Sequence, residues 1–93
     1  MTIRWDEMKR QKVLSKRNID FAGLSELLYS PYVEEQSSEV PEQYRVIGFI
    51  AERLVTFIIK YRNDGLNEYV WAVTAWKSTK QERQIYEQQV YKY

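Results

Sequence analysis

Two side chains are missing altogether, because the 93 residues hold neither cysteine nor histidine. Without cysteine there is no disulfide framework and no thiolate chemistry. Neutral imidazole is the usual general base near pH 7 and the usual zinc ligand. Its absence excludes serine–histidine triads, histidine-pair ribonucleases and zinc hydrolases, so any catalysis must run on Arg, Lys, Tyr, Asp or Glu. Glycine is scarce too, and Gly23, Gly48 and Gly65 stand apart, so there is no glycine-rich phosphate loop. No run of about 18 apolar residues exists, so no membrane span is expected. The opening MTIRWDEMKR lacks the apolar core of a signal peptide, and a cytoplasmic location is the expectation. Glu34, Glu35, Glu39 and Glu42 are spread along one polar stretch without the alternating Asp/Asn and Gly of a calcium loop, so neither metal nor other cofactor is expected.

What is present suits a folded protein, with 44% apolar and 15% aromatic residues, and the length fits a single domain over residues 1–93. The net charge of +1 is unevenly spread. Residues 1–20 carry six basic and three acidic side chains, residues 21–52 one and six, and residues 53–93 seven and four. Either the surface is ordinarily solvated, or one basic face serves a polyanion with an acidic flank elsewhere.

Local signals give an element order. Ile3 to Trp5 reads as a short strand, and Asp6 as the N-cap of a helix running to about Arg17 with Asn18 just beyond it. Asp20 caps a second helix carrying Phe21, Leu24, Leu27 and Leu28 at helical spacing, ended by Ser30-Pro31. The polar stretch 34–42, EEQSSEVPE, reads as a loop. Tyr44–Ala51, Arg53–Arg62 and Glu68–Trp76 read as three strands, with a tight turn after the first and Asn63-Asp64-Gly65 as a hairpin signal after the second. Thr79-Lys80-Gln81-Glu82 has the form of a capping box, so a last helix begins at Lys80 with Tyr86, Val90 and Tyr93 on one side. The order is that of an α+β domain with N-terminal helices, an antiparallel β-sheet meander and a C-terminal helix.

On the strands, basic and aromatic side chains interleave: Tyr44, Arg45, Arg53, Lys60, Tyr61, Arg62, Tyr69, Trp71, Trp76 and Lys77. Cations of this kind bind phosphate, and exposed rings stack on unpaired bases. The competing reading is packing, since alternate residues of a meander face a core. RNA cleavage without histidine is chemically sound: the substrate's own 2′-hydroxyl attacks the neighbouring phosphorus, and the protein supplies position and positive charge.

At these residues the chain resembles the BrnT toxins of bacterial type II toxin–antitoxin systems, relatives of the RelE-like ribonucleases. IRWDEMKRQKVLSKRNIDF (Ile3–Phe21) is similar to that family's F-x-W-D-x-x-K, short helix and K-H-G-V-x-F, with Trp5, Asp6, Lys9, Lys16, Ile19 and Phe21 at matching places. EQYRVIG (Glu42–Gly48) resembles the central E-x-R-Y-x-x-I-G region. TAWKSTKQERQIYE resembles S-A-R-R-A-T-x-x-E-R-x-x-Y, matched by Thr74, Ala75, Lys77, Thr79, Glu82, Arg83 and Tyr86. Arg17 and Asn18 stand for the family's His-Gly, Gln43 for an arginine, and Trp71 and Trp76 for arginines of the last strand.

The resemblance implies a RelE-like toxin fold and a ribonuclease acting by 2′-hydroxyl attack. It also implies a BrnA-like antitoxin that neutralises the toxin, and a joint complex that represses its own operon, touching operator DNA through the antitoxin. The residues expected to serve the reaction are Lys60, Arg62 and Lys77 for phosphate and transition-state charge, with Tyr86 for proton transfer or else helix packing. Arg45 and Arg53 are expected to position substrate, and Trp71 and Trp76 to stack on bases. Thr79 and Glu82 are read as capping. The competing class is a toxin-fold protein without catalysis that binds protein or RNA.

Overall fold

The computed structural model describes residues 2–91; Met1, Lys92 and Tyr93 lie outside the described residues. Strand β1 (Thr2–Trp5) passes straight into α1 (Glu7–Arg17). The Asp6 carboxylate accepts the Met8 amide at 2.9 Å, which fixes the first turn. Asn18 closes the helix in the left-handed conformation at φ 56°, donating its N–H to the Leu14 carbonyl. Arg10 then clamps Asp20, with Nε to Oδ1 at 2.8 Å and Nη2 to Oδ2 at 3.0 Å. Asp20 in turn accepts the Ala22 amide and starts the 3-10 turn Phe21–Gly23, which runs into α2 (Leu24–Tyr29).

Four antiparallel strands follow: β2 (Val33–Glu39), β3 (Glu42–Ile50), β4 (Arg53–Asn63) and β5 (Glu68–Lys77), before α3 (Lys80–Val90). The five-stranded sheet has the order β1-β5-β4-β3-β2, with β1 parallel to β5. The stretch expected to be a loop is therefore mostly an edge strand. Its residues are polar because an edge strand faces water on one side, and polar edges resist pairing with other chains. Its register is set by Val33 opposite Ile47 and Glu35 opposite Arg45. Tyr61 adds a hydroxyl-to-carboxylate bond of 2.7 Å to Glu34.

The sheet buries both faces unequally. Against α1 and α2, Val46, Val55, Phe57, Ile59, Val70, Ala72 and Ala75 pack on Val13, Phe21, Leu24 and Leu27. Gly48 permits that approach, since a Cβ there would stand 2.9 Å from the Leu27 side chain. On the other face α3 covers Val33, Ile47, Phe49, Leu54 and Thr56, using Glu82, Ile85, Tyr86 and Val90. The rest of that face is open.

The β3–β4 hairpin turns in two residues, with Ile50 opposite Arg53. Ala51, the first of them, has φ 54°, a conformation that costs a residue with a Cβ about 1–2 kcal/mol. Ala51→Gly is expected to raise stability by about 1 kcal/mol net of the added freedom of the unfolded chain, read as a higher urea midpoint at unchanged m-value.

Candidate functional site

Cross-strand partners share a face, so the register assigns each candidate residue. Lys60 lies opposite Trp71, Arg62 opposite Tyr69, Ile58 opposite Thr74 and Thr56 opposite Trp76. Arg45 lies opposite Ile58, and Arg4 of the neighbouring β1 opposite Trp71. All of these point to the sheet face on which α3 lies, with Arg45, Thr56 and Trp76 reaching Glu82 at the start of that helix. The surface thus carries Arg4, Arg45, Lys60 and Arg62 among Tyr69, Trp71 and Trp76.

Within it the cations are held differently. The Arg62 guanidinium lies 4.8 Å from the centre of the Trp71 ring, the diagonal neighbour across the ladder. Arg4 lies 4.2 Å from the Tyr69 ring and pairs with Asp64 at 3.2 Å. Among the described residues neither Lys60 nor Arg62 is in a salt bridge. Lys60 is half-buried and Arg62 exposed.

Arg45 is committed. Its Nη2 donates to Glu35 and its Nη1 stands 3.5 Å from Glu82 Oε2, so one cation sits between two carboxylates. Glu82 is 4% exposed, and its Oε1 accepts from the Thr79 amide at 2.9 Å, the Trp76 indole at 3.0 Å and the Thr56 hydroxyl at 2.9 Å. Burial pushes the Glu82 pKa up, but the hydrogen bonds from Thr79, Trp76 and Thr56 and the charge of Arg45 outweigh it and hold the carboxyl below its usual range. The capping box is complete, with Glu82 N–H returned to Thr79 Oγ1 at 3.1 Å. Trp76 is therefore anchored by its polar end, whereas the Trp71 ring meets the Arg62 guanidinium.

The structure does not gather the remaining candidates here. Lys77 lies opposite Val55, on the face that packs against α1 and α2. Arg53 reaches the end of α1, where its Nη1 donates to the Asn18 carbonyl at 2.7 Å. Tyr86 is 3% exposed, with its hydroxyl on the Pro31 carbonyl at 3.0 Å and its ring edge-on to Phe49. Its surroundings are those of core packing, and burial raises its pKa. Sequence reasoning does not reach Arg4, whose place depends on the parallel pairing of β1, or the role of Glu35, whose polar stretch has the composition of a loop.

Comparison with known proteins places this architecture. A solved structure of the Brucella abortus ribonuclease toxin BrnT matches with a TM-score of 0.62 at 22% identity, covering 86% of this chain and 99% of that one. This is a BrnT-like toxin fold. No family model matches the chain, and no curated protein does. The BrnT-like fold agrees with the expected α+β class. It says nothing by itself about which side chains work on that surface.

The Glu82 junction has a measurable pH signature. Its folded pKa is below the unfolded value near 4.5, so its contribution is complete above that pH and disappears as pH falls through the lowered folded value. Glu82→Gln keeps an acceptor but removes the charge, and is expected to cost about 1–2 kcal/mol at pH 7. The gap between variant and wild type should close as pH falls from 4.5 through the lowered folded value, measured by urea unfolding over a descending pH series.

Proposed function

We propose that this chain is a ribonuclease toxin of a toxin–antitoxin pair, and that the open sheet face is its RNA surface. The observation that carries the reading is the placement of Lys60 directly opposite Trp71 and of Arg62 on its diagonal, both without carboxylate partners among the described residues, on a BrnT-like scaffold. A phosphate between these cations has its charge matched, while Trp71 offers a ring for an unpaired base. The substrate's 2′-oxygen attacks the adjacent phosphorus and the bond to the 5′-oxygen breaks, with the 2′-proton passing through water to the leaving oxygen. The products are a 2′,3′-cyclic phosphate and a 5′-hydroxyl, and Lys60 and Arg62 stabilise the charge that builds between. Arg4 positions the strand from β1, and Arg45, held by Glu35 and Glu82, frames the site. A BrnA-like antitoxin covers this face, in the cytoplasm, and carries any contact with operator DNA.

One observation favours a second reading, in which the face binds without cleaving. Arg45 is neutralised by Glu35 and Glu82, and Trp76 is tied to Glu82, so two positions where the resemblance puts working groups are structurally occupied.

The two readings part in one experiment. Expression of the chain alone should arrest growth, and the purified protein should release fragments ending in 2′,3′-cyclic phosphate. Lys60→Ala or Arg62→Ala should lower the cleavage rate by about 100- to 1000-fold, with stability altered by under roughly 0.5 kcal/mol because these are surface charges. RNA binding without cleavage by the wild type would leave the binding module. Neither binding nor cleavage would remove both.

A further inference from the structure

A second group of cations lies outside that face. Lys9, Lys12 and Lys16 are exposed on α1 and, with Arg17 and Val13, line a shallow groove. At 3.6 residues per turn the three lysines fall within about 60° of one another and span about 10 Å along the helix. Spacings of three and four residues bring like charges together, which weakens a helix by a few tenths of a kcal/mol per pair. No acid relieves them: the first-turn acid, Glu7, is engaged by Arg10, Gln11 and Trp5, and among the described residues none of the three lysines is in a salt bridge. A merely solvated face gains nothing from one sign of charge, whereas a polyanion does.

The groove is joined to the open face. β1 pairs with β5 only as far as Ala72, so the outer edge of β5 is bare from Val73 onward. Arg17 reaches this edge from the end of α1, donating to the Ala75 carbonyl at 2.9 Å and to the Thr74 hydroxyl at 3.4 Å. Thr74 lies opposite Ile58, on the open face, two strand positions from Lys60. Arg17 therefore bridges the two basic regions round the sheet edge.

We propose that Lys9, Lys12, Lys16 and Arg17 form a second phosphate-binding track, which holds an RNA strand where it leaves the open face and wraps the edge of β5. The occupant is a single-stranded nucleic-acid backbone. Four cations without aromatic side chains in the groove bind phosphates and read no base, so the track adds affinity and length dependence but no sequence preference. This rests on the RNA reading above and extends it to substrate length.

The test is binding of fluorescein-labelled oligouridylates of about 4 and about 12 nucleotides, followed by anisotropy against salt. In Lys9→Gln/Lys12→Gln/Lys16→Gln the slope of log affinity on log salt for the 12-mer should fall by about 2, at about 0.7 per phosphate contact. Its loss of affinity between about 50 and 200 mM salt then becomes roughly 15-fold smaller than that of the wild type. The 4-mer, held on the open face, should bind as before, and the triple lysine-to-arginine variant should restore the 12-mer. Equal 12-mer slopes in wild type and glutamine variant, alongside weakened binding in Lys60→Ala, would overturn the track and leave the RNA face standing. A wild type that binds neither RNA would overturn both. Displacement of the 12-mer by a glutamate peptide of equal charge as readily as by unlabelled RNA would assign the track to acidic protein segments instead.

Discussion

The arrangement of the open face depends on one buried carboxylate. Glu82 begins α3, yet its oxygens are reached by Thr56 of β4, Trp76 of β5, Arg45 of β3 and the Thr79 amide. A buried charge is costly unless its lone pairs are filled, and here both oxygens have partners. Meeting that requirement fixes where α3 begins, how far it slides over the sheet and which way the Trp76 ring lies. Removing any partner would leave polar atoms unmatched in a dry place, so the group behaves as one unit and not as separate contacts. Ser78 extends it, with its hydroxyl 2.8 Å from Thr56 Oγ1.

That junction also decides what the face has left to offer. Arg45 cannot answer a phosphate as a free cation while it balances Glu35 and Glu82, and Trp76 has its indole N–H engaged. The charge available for a ligand is displaced sideways, onto Lys60 and Arg62 and toward β1. If the chain cleaves RNA, its transition-state charge is met from the β4–β5 ladder, with Trp71 across the ladder from both cations as a stacking platform. A guanidinium already lying over Trp71 is compatible with this, because cation–π contact and base stacking both use the π-face and can share opposite sides of one ring.

Much of the fold was legible because its signals are local. The Asp6 cap, the left-handed Asn18, the Asp20 turn, the Asn63-Asp64-Gly65 turn and the Thr79–Glu82 box each depend on a few neighbouring residues, and each stands where its residues put it. β2 was not legible, because a polar edge strand has the composition of a loop and is defined by its partner. The site was only partly legible, for a reason of parity. Trp71 and Lys77 are an even number of residues apart and Trp71 and Trp76 an odd number, so plain alternation pairs the lysine with Trp71 and separates the tryptophans. The register shift opposite Ile58 and Ile59 inserts one residue at Val73 and inverts both relations. Both tryptophans thus share the open face, and Lys77 turns to the helices.

The charge blocks of the chain gain meaning from the strand order. The acidic block, residues 21–52, supplies α2, β2 and β3, while the basic blocks supply β1, α1, β4 and β5. Because β1 inserts beside β5 and not beside β2, the two basic blocks, remote in sequence, become neighbours in space. The molecule is accordingly polarised across its sheet, with β1, β5 and α1 at a positive margin and the β2 edge, bearing Glu34, Glu35 and Glu39, at a negative one. A net charge of +1 conceals this, since at physiological salt fields are felt over about 8 Å and a ligand meets the local margin and not the sum. A polyanion approaching from the β1–β5 side is drawn in and kept off the β2 edge, which orients the encounter before any specific contact forms. The parallel pairing of four N-terminal residues with β5 thus has an electrostatic as well as a structural consequence, because it joins two separate charged segments into one continuous positive margin.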